Sequence, residues 1–554
     1  MPTMNQLAMT RASFKRALGF APRSKGSSLP QSPSQGSPLN RRLSLYSLVM
    51  AVVTSTIGSG WLFAPYFAAK MAGPASLLSW LLGGLLAFGL AMVFAELGAM
   101  ISTSGSLAQI PLMSHGRLSG FIGGWSAWVA YVSLPAIEVM ATMEYLSNRL
   151  PFLSHHQDGV QMLTLSGTGI AVLLLIVFAW INLAGIEWLA RWIDGLTLWK
   201  IFIPVATSIT LLVYAFHREN LSPFFPEHIT TTGGILKAVS GGGILFSLLG
   251  FRTAMDLAGE AHNPQRNVPL AMGLGLGISL GVYLLLQLAF LLAIPPSAIQ
   301  SGWPGLILID HGGPLVAIAS GLGLGWVVTV LLVDAAISPS ATSMTYMGAA
   351  ARVNWMLARC GLLPAVFEKT NRQAVPSVAL LSSLVVGIII LRLPAGWEGV
   401  VNFLTTTLVI ALSMGPVSLW ALRRQWPDRH RPYRLPVSWL WCMASFVVTS
   451  WAIFWSGWAT LRLATLAILL PALIFAAIET LRGRSLNPLG GIWWFIYLVG
   501  LCALSALIGD GRPFAASMSG QLISVGLYAL LIFPLAVRSR LPKVAPQAQS
   551  LMDD

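Results

Sequence analysis

Fourteen stretches of this 554-residue chain are apolar for long enough to cross a bilayer, and that repetition restricts the fold more than any single residue does. A hydrocarbon layer about 30 Å thick takes about 20 helical residues to span. The stretches run approximately Leu43–Ala69, Ala75–Ile101, Leu118–Leu146, Leu163–Leu183, Trp192–Phe216, Gly234–Ala258, Leu270–Ile294, Leu315–Tyr346, Pro376–Leu393, Val400–Leu422, Val437–Trp458, Leu463–Leu481, Ile492–Ile508 and Leu522–Val537. The expectation is an all-α polytopic membrane protein, and the lipid bilayer is its first partner. Composition agrees: 55% of residues are hydrophobic and 9% charged, far more apolar sequence than a soluble core uses.

A net charge of +14 raises the question of nucleic acid. The basic residues do not gather in one stripe with interleaved aromatics, so no nucleic-acid partner is expected. Their distribution reports topology instead. If every stretch crosses and the N-terminus is cytoplasmic, 24 Lys and Arg fall inside and seven outside, with Lys200 and Arg252 left within spans. That asymmetry predicts both termini in the cytoplasm of a plasma (inner) membrane protein. The basic, Ser- and Pro-rich segment 1–42 reads as a disordered cytoplasmic tail without an apolar signal core, and 538–554 as a second tail. Cys360, Cys442 and Cys502 lack paired spacing, and the eight histidines form no helical HxxxH, so no metal or other cofactor is expected.

Two spans are broken by glycine. Span one carries Gly58-Ser59-Gly60 at its middle, and span six carries Gly241-Gly242-Gly243 and Gly250. Such a break is either a small-residue helix contact or an unwound turn, which lipid tolerates only where protein or a wet cavity surrounds it. Two breaks five spans apart favour a transporter built from two inverted repeats, with substrate held between them. Span six then acquires Arg252, Asp256 and Glu260, spaced to share one helical face. Intramembrane charges are costly and mark functional sites. Glu138 in span three is another, either a proton site or the partner of a buried cation. Glu96 in span two lies near the inner face, where a solvated or gate-pairing role fits. Lys200 lies about nine residues into span five, or about 13 Å at 1.5 Å per residue, too deep to reach solvent easily. Its depth makes it a candidate proton-coupling group.

The Gly58–Gly60 break, Ala95-Glu96-Leu97, GFRTAMDLAGE at Gly250–Glu260, NPQRNVP at Asn263–Pro269, and the loop from Ala351-Arg352 through Leu357–Phe367 together resemble the amino acid–polyamine–organocation family. The resemblance covers roughly residues 44 to 425. A fourteen-span layout is similar to the subgroup containing aspartate–proton symporters. The resemblance implies a five-plus-five inverted-repeat core of the leucine-transporter type, with repeats at 43–216 and 234–422 and four extra helices at 437–537. It implies substrate-binding backbone at Ile57, Gly58, Ser59 and Gly60, and substrate-facing positions at Gly243, Phe246 and Ser247, Phe246 as an aromatic lid. It places Lys200 where a sodium ion would otherwise bridge spans one and eight, so the driving ion is expected to be H⁺, with Glu138 as a second coupling group. Arg252 departs from the acidic residue many relatives carry there. Its anion is either Asp256, making Arg252, Asp256 and Glu260 an inner gate, or the side chain of an acidic substrate.

The expected function is thus a secondary active amino acid permease, proton-coupled, with protons and an amino acid as partners and an acidic amino acid as one substrate class. A proton-independent exchanger is the alternative. From another class, a membrane-embedded transferase would need carboxylate or histidine clusters at the membrane surface, which the short loops lack. The sequence leaves oligomeric state open.

Overall fold

The computed structural model describes residues 43–101, 106–157, 160–184, 186–226, 233–258, 261–308, 312–393, 396–484 and 486–545. The expected N-terminal tail, the end of the C-terminal tail and Glu260 lie outside these residues.

The described chain is almost entirely helical. The first expected span is two helices, α1 (Leu45–Thr56) and α2 (Gly60–Ala72). Span two is α3 (Ser76–Met100), and a helix not anticipated, α4 (Ser106–His115), precedes span three, α5 (Arg117–Leu146). Spans four and five are α6 (Leu165–Ala184) and α7 (Ile186–Tyr214). Span six is broken into α8 (Gly234–Gly241) and a second arm of α9 (Ile244–Leu248), a 3₁₀ turn at Leu249–Arg252 and α10 (Thr253–Asp256). Then follow α11 (Pro264–Ala293), α12 (Pro314–Gly321), α13 (Gly325–Arg359), α14 (Ser377–Ile390) and α15 (Gly396–Gln425). The last four are α16 (Ser438–Trp455), α17 (Trp458–Leu481), α18 (Pro488–Ile508) and α19 (Met518–Arg538).

By length and hydropathy, 11 helical stretches among the described residues can cross a membrane, or 12 with the bent pair of span six. That count runs α2 and α3 together and omits the 14-residue α14. Separating the first pair, with α1 joined to α2, and admitting α14 gives one helix or broken helix for each of the fourteen apolar segments. Two further features were not anticipated. An antiparallel hairpin pairs Ser154–Gln157 (β1) with Val160–Leu163 (β2), Ser154 opposite Leu163. And α13 runs past the expected end at Tyr346 to Arg359, where Gly361 at φ 67° lets Leu362 donate back to the Leu357 carbonyl, satisfying the helix end.

Burial separates inner from outer helices. The apolar windows of α5 and α15 are 94% and 89% buried, those of α6, α17 and α18 39% each. Outer helices accordingly present Leu173, Leu466, Leu470 and Ile496 outward, the lipid-facing pattern of a polytopic protein. The two broken spans touch backbone to backbone: a side chain at Gly250 would come within 2.6 Å of the Thr56 nitrogen and 2.7 Å of the Ser55 carbonyl carbon. Only glycine allows span six to cross span one there.

Glu96 is neither solvated nor loosely placed. It is fully buried, and Arg423 binds both its oxygens at 2.9 and 2.6 Å. Arg431 lies 3.5 Å away, and the Leu435 backbone N–H donates to it at 2.8 Å. This one carboxylate therefore ties α3 to α15 and to the segment leading into α16. Removing one member of a buried ion cluster leaves the others unpaired, at about 3–5 kcal/mol. Glu96→Ala is expected to lower the unfolding midpoint of the purified protein by that order, and an unchanged midpoint would refute the anchoring role.

Candidate functional site

The site forms where α1 stops. Ile57 closes α1 by donating its N–H to the Val53 carbonyl at 2.8 Å, and Gly60 already begins α2. The interruption is thus Ile57–Ser59, and of the four residues expected to bind substrate through their backbone, Ile57 already has its N–H used within α1. Ser59 is met by α5: its N–H donates to Glu138 Oε2 at 2.8 Å. Glu138 is fully buried, its Oε1 has no hydrogen-bond partner among the described residues, and that oxygen lies 2.6 Å from where a side chain on Gly58 would start. Gly58 is therefore the residue that lets the carboxylate sit against the broken turn.

Lys200 reaches the same turn from α7. Its ammonium donates to the Thr54 carbonyl on α1 at 3.0 Å and to Thr342 Oγ1 on α13 at 2.6 Å, with no solvent exposure. It thus bridges span one and span eight, as expected. Lys200 and Glu138 are near enough to interact electrostatically. The remaining span-eight hydroxyls are committed: Ser338 donates to Asp334 at 2.7 Å, Ser340 to the Ala336 carbonyl at 2.5 Å and Ser343 to the Pro135 carbonyl at 3.3 Å.

Span six bends by 57° between its two arms. Gly243 holds φ 78°, a left-handed conformation open to glycine without strain. The helix resumes at Ile244, so the Gly243 carbonyl already accepts from the Ser247 N–H at 3.0 Å and from the Ser247 hydroxyl at 2.8 Å. The Gly243 carbonyl, at one of the expected substrate-facing positions, is therefore occupied, and Ser247 faces Gly60 with its hydroxyl. Phe246 stands edge-on to Trp397, ring centres 5.9 Å apart. Its ring joins Gly58, Glu138, Thr342 and Tyr346 around a cavity of about 10 Å³, room for about one water. The chain is closed around this point.

Below the cavity, Tyr346 and Tyr131 pack with ring centres 5.4 Å apart, and the Arg252 guanidinium lies over Tyr131 at 5.0 Å. Tyr131 donates to Asp256 Oδ2 at 3.2 Å, while Arg252 Nη2 is 3.7 Å from Asp256 Oδ1. Arg252 is buried, yet its Nε and Nη1 find no hydrogen-bond partner among the described residues. Arg252 and Asp256 are thus brought together, one aromatic layer from the cavity.

Three contributors were missed by sequence reasoning. Asp334 on α13, fully buried, accepts from Trp61 at 3.1 Å, Trp199 at 2.7 Å and Ser338, linking α2, α7 and α13. Its signal was available, since an acid inside span eight is as costly as one inside span three. Trp397 donates to the Ser59 hydroxyl at 3.1 Å, and Tyr283 to the Thr56 carbonyl at 3.0 Å. Neither has a sequence pattern that marks it. No group of His, Cys, Asp or Glu among the described residues is placed to hold a metal ion.

The family described as amino acid permease matches residues 43–477. A glutamate/serine transporter, AimA, of Bacillus subtilis (strain 168) is 32% identical over 90% of this chain and 94% of its own length. An aspartate-proton symporter of the same organism is 32% identical over 91% of this chain and 98% of its own. A methylthioribose transporter, also from that organism, is 25% identical over 73% of this chain. The fold, the paired helix breaks and the match over most of the chain agree: the protein is an integral membrane protein that belongs to the amino acid permease family.

Proposed function

We propose that this permease is a proton-coupled importer of amino acids, acidic ones included, working by alternating access around the break in span one. It lies in the plasma membrane with both termini cytoplasmic and uses the two broken spans as corresponding parts of inverted repeats at 43–216 and 234–422. The observation that carries the proposal is the contact of Glu138 with the Ser59 N–H beside Lys200. Free N–H groups at a helix start attract carboxylates, so the Glu138 side chain holds the donor that a substrate carboxylate would need. Two carboxylates cannot share it while both are charged. Protonation of Glu138 on its unpartnered Oε1 removes its charge and weakens its hold on the Ser59 N–H, which a charged substrate carboxylate then takes, so proton and cargo enter together. Lys200 keeps the Thr54 carbonyl occupied through the exchange and itself can pass a proton.

The gate beneath supports acidic cargo. Arg252 has donors to spare beyond its loose pair with Asp256, and guanidinium prefers a carboxylate held by two N–H groups. Two relatives named for glutamate, serine or aspartate transport favour the same class.

Uptake of radiolabelled amino acids into proteoliposomes, across the twenty common ones, with and without an inward proton gradient, tests the whole. Gradient-driven accumulation of aspartate or glutamate is expected, and absence of uptake for every amino acid would end the proposal. Lys200→Ala is expected to abolish accumulation while leaving the protein folded by its elution profile. Glu138→Gln should retain counterflow exchange but lose acceleration by the gradient; a variant still driven by the gradient removes Glu138 from coupling. Arg252→Gln should raise KM for aspartate about tenfold, the loss of roughly one charge-assisted hydrogen bond, with serine little affected. An equal rise for both substrates would make Arg252 a gate residue only.

A further inference from the structure

The four C-terminal helices carry a cavity of their own, of about 110 Å³, at the end of the bundle where α8 begins and α16 meets α17. Apart from α8, the first arm of broken span six, it is built from elements outside the broken-helix site. Lys237 of α8 forms an ion pair there with Asp510, which follows α18, and Gln521 of α19 donates to the same carboxylate at 3.0 Å. Met518 at the start of α19 packs so closely on Gly233, at the start of α8, that any side chain there would collide with it.

The lining is rich in donors. Arg512 stacks over Trp458 at 5.5 Å, and Arg462 lies over the same ring at 5.7 Å. Gly457 and Trp458 open the 24-residue α17 with no side-chain cap on its N-terminus, and both line the cavity. The Trp455 indole N–H is buried without a hydrogen-bond partner among the described residues. Asp510 is the single carboxylate in the lining. Of the seven basic residues that the sequence places on the charge-poor side, Lys237, Arg462 and Arg512 converge here. Cations on that side work against the charge bias that orients the chain, and a helix N-terminus adds further positive potential.

We propose that this cavity is a second binding site, for a small organic carboxylate. The carboxylate lies between Arg512, the Trp455 N–H and the start of α17, and displaces Asp510 from Lys237. The flat rings of Trp455 and Trp458 take the carbon skeleton. Because Lys237 belongs to α8, the arm that ends at the Gly242–Gly243 bend, occupancy loosens the hold of the C-terminal helices on span six. This gives α16–α19 a task in a transporter whose central site they do not enter, and it stands whatever the central site carries.

Equilibrium binding of radiolabelled succinate to the full chain in nanodiscs of neutral phosphatidylcholine tests it. Succinate has no ammonium group, so it is a poor ligand for an amino acid site. Saturable binding is expected, weakened about tenfold or more by Arg512→Gln through loss of a charge-assisted contact. Asp510→Asn removes the competing carboxylate and is expected to tighten binding several-fold, an outcome that misfolding cannot imitate. Gly60→Val and Lys200→Ala, which alter the central site, should leave succinate binding in place. Absence of saturable binding, indifference to Arg512→Gln, or loss of binding in both central-site variants would overturn the proposal. Loss of binding when part of the lipid is phosphatidylglycerol would assign the cavity to a lipid headgroup instead and would overturn it too.

Discussion

A helix cannot stop inside a membrane without stranding backbone groups, and the structure is organised around satisfying the ones stranded where span one breaks. Five of the backbone groups there are met by side chains from other helices. The Thr54 carbonyl takes Lys200 of α7, the Ser55 carbonyl takes Tyr346 of α13 at 3.4 Å and the Thr56 carbonyl takes Tyr283 of α11. The Ser59 N–H gives to Glu138 of α5, and beyond the break the Leu62 carbonyl accepts from Tyr145, also of α5, at 2.9 Å. The turn is held by at least four helices at once, and displacing any of them changes what the turn can offer. A turn held this way can change only by repacking in discrete steps, since a packed interior does not deform smoothly.

The same requirement explains why two of the partners are ionisable. Tyrosine hydroxyls donate to carbonyls without carrying charge, whereas the strength with which Lys200 holds a carbonyl and Glu138 holds an N–H changes with protonation. Lys200 and Glu138 thus put an ionisable group on the Thr54 carbonyl before Gly58 and another on the Ser59 N–H after it, the arrangement that the proposed coupling needs. Asp334 plays the complementary part. Three donors surround it, so it is held as a fixed acceptor, and it fastens α2 through Trp61 to the helices that carry Lys200 and the span-eight hydroxyls.

The legible part of this was what cost energy locally. Glycine pairs at bilayer depth, and single charges far from any interface, are expensive in one dimension of sequence, and both broken spans, Lys200, Glu138 and the Arg252–Asp256 pair are where that expense pointed. Asp334 obeys the same rule, a lone acid buried at depth in span eight. The boundaries erred by a residue or so, as helix ends do: Ile57 finishes α1 and Gly243 already serves α9. What could not be read was pairing at long range. Glu96 and Arg423 are 327 residues apart, and Ser59 and Trp397 338 apart. No periodicity links such positions, and an indole or guanidinium satisfies many acceptors equally well. The β1–β2 hairpin escaped for a different reason, lying in a polar connection too short to show alternation.

Arg252 draws these strands together. An arginine buried against the Tyr131 ring cannot shed its charge, and the carboxylate paired with it, Asp256, divides itself between the guanidinium and the Tyr131 hydroxyl. Tyr131 packs on Tyr346, whose hydroxyl in turn reaches the Ser55 carbonyl of the broken turn. A change at the break therefore has a short physical route to the gate: moving the Ser55 carbonyl frees Tyr346, which loosens Tyr131 and with it the sharing of Asp256. In the proposed gate, a fully paired Arg252 would be indifferent to that chain, whereas the loose pair seen here, with two guanidinium nitrogens unpartnered among the described residues, leaves it open to a rearrangement two rings away.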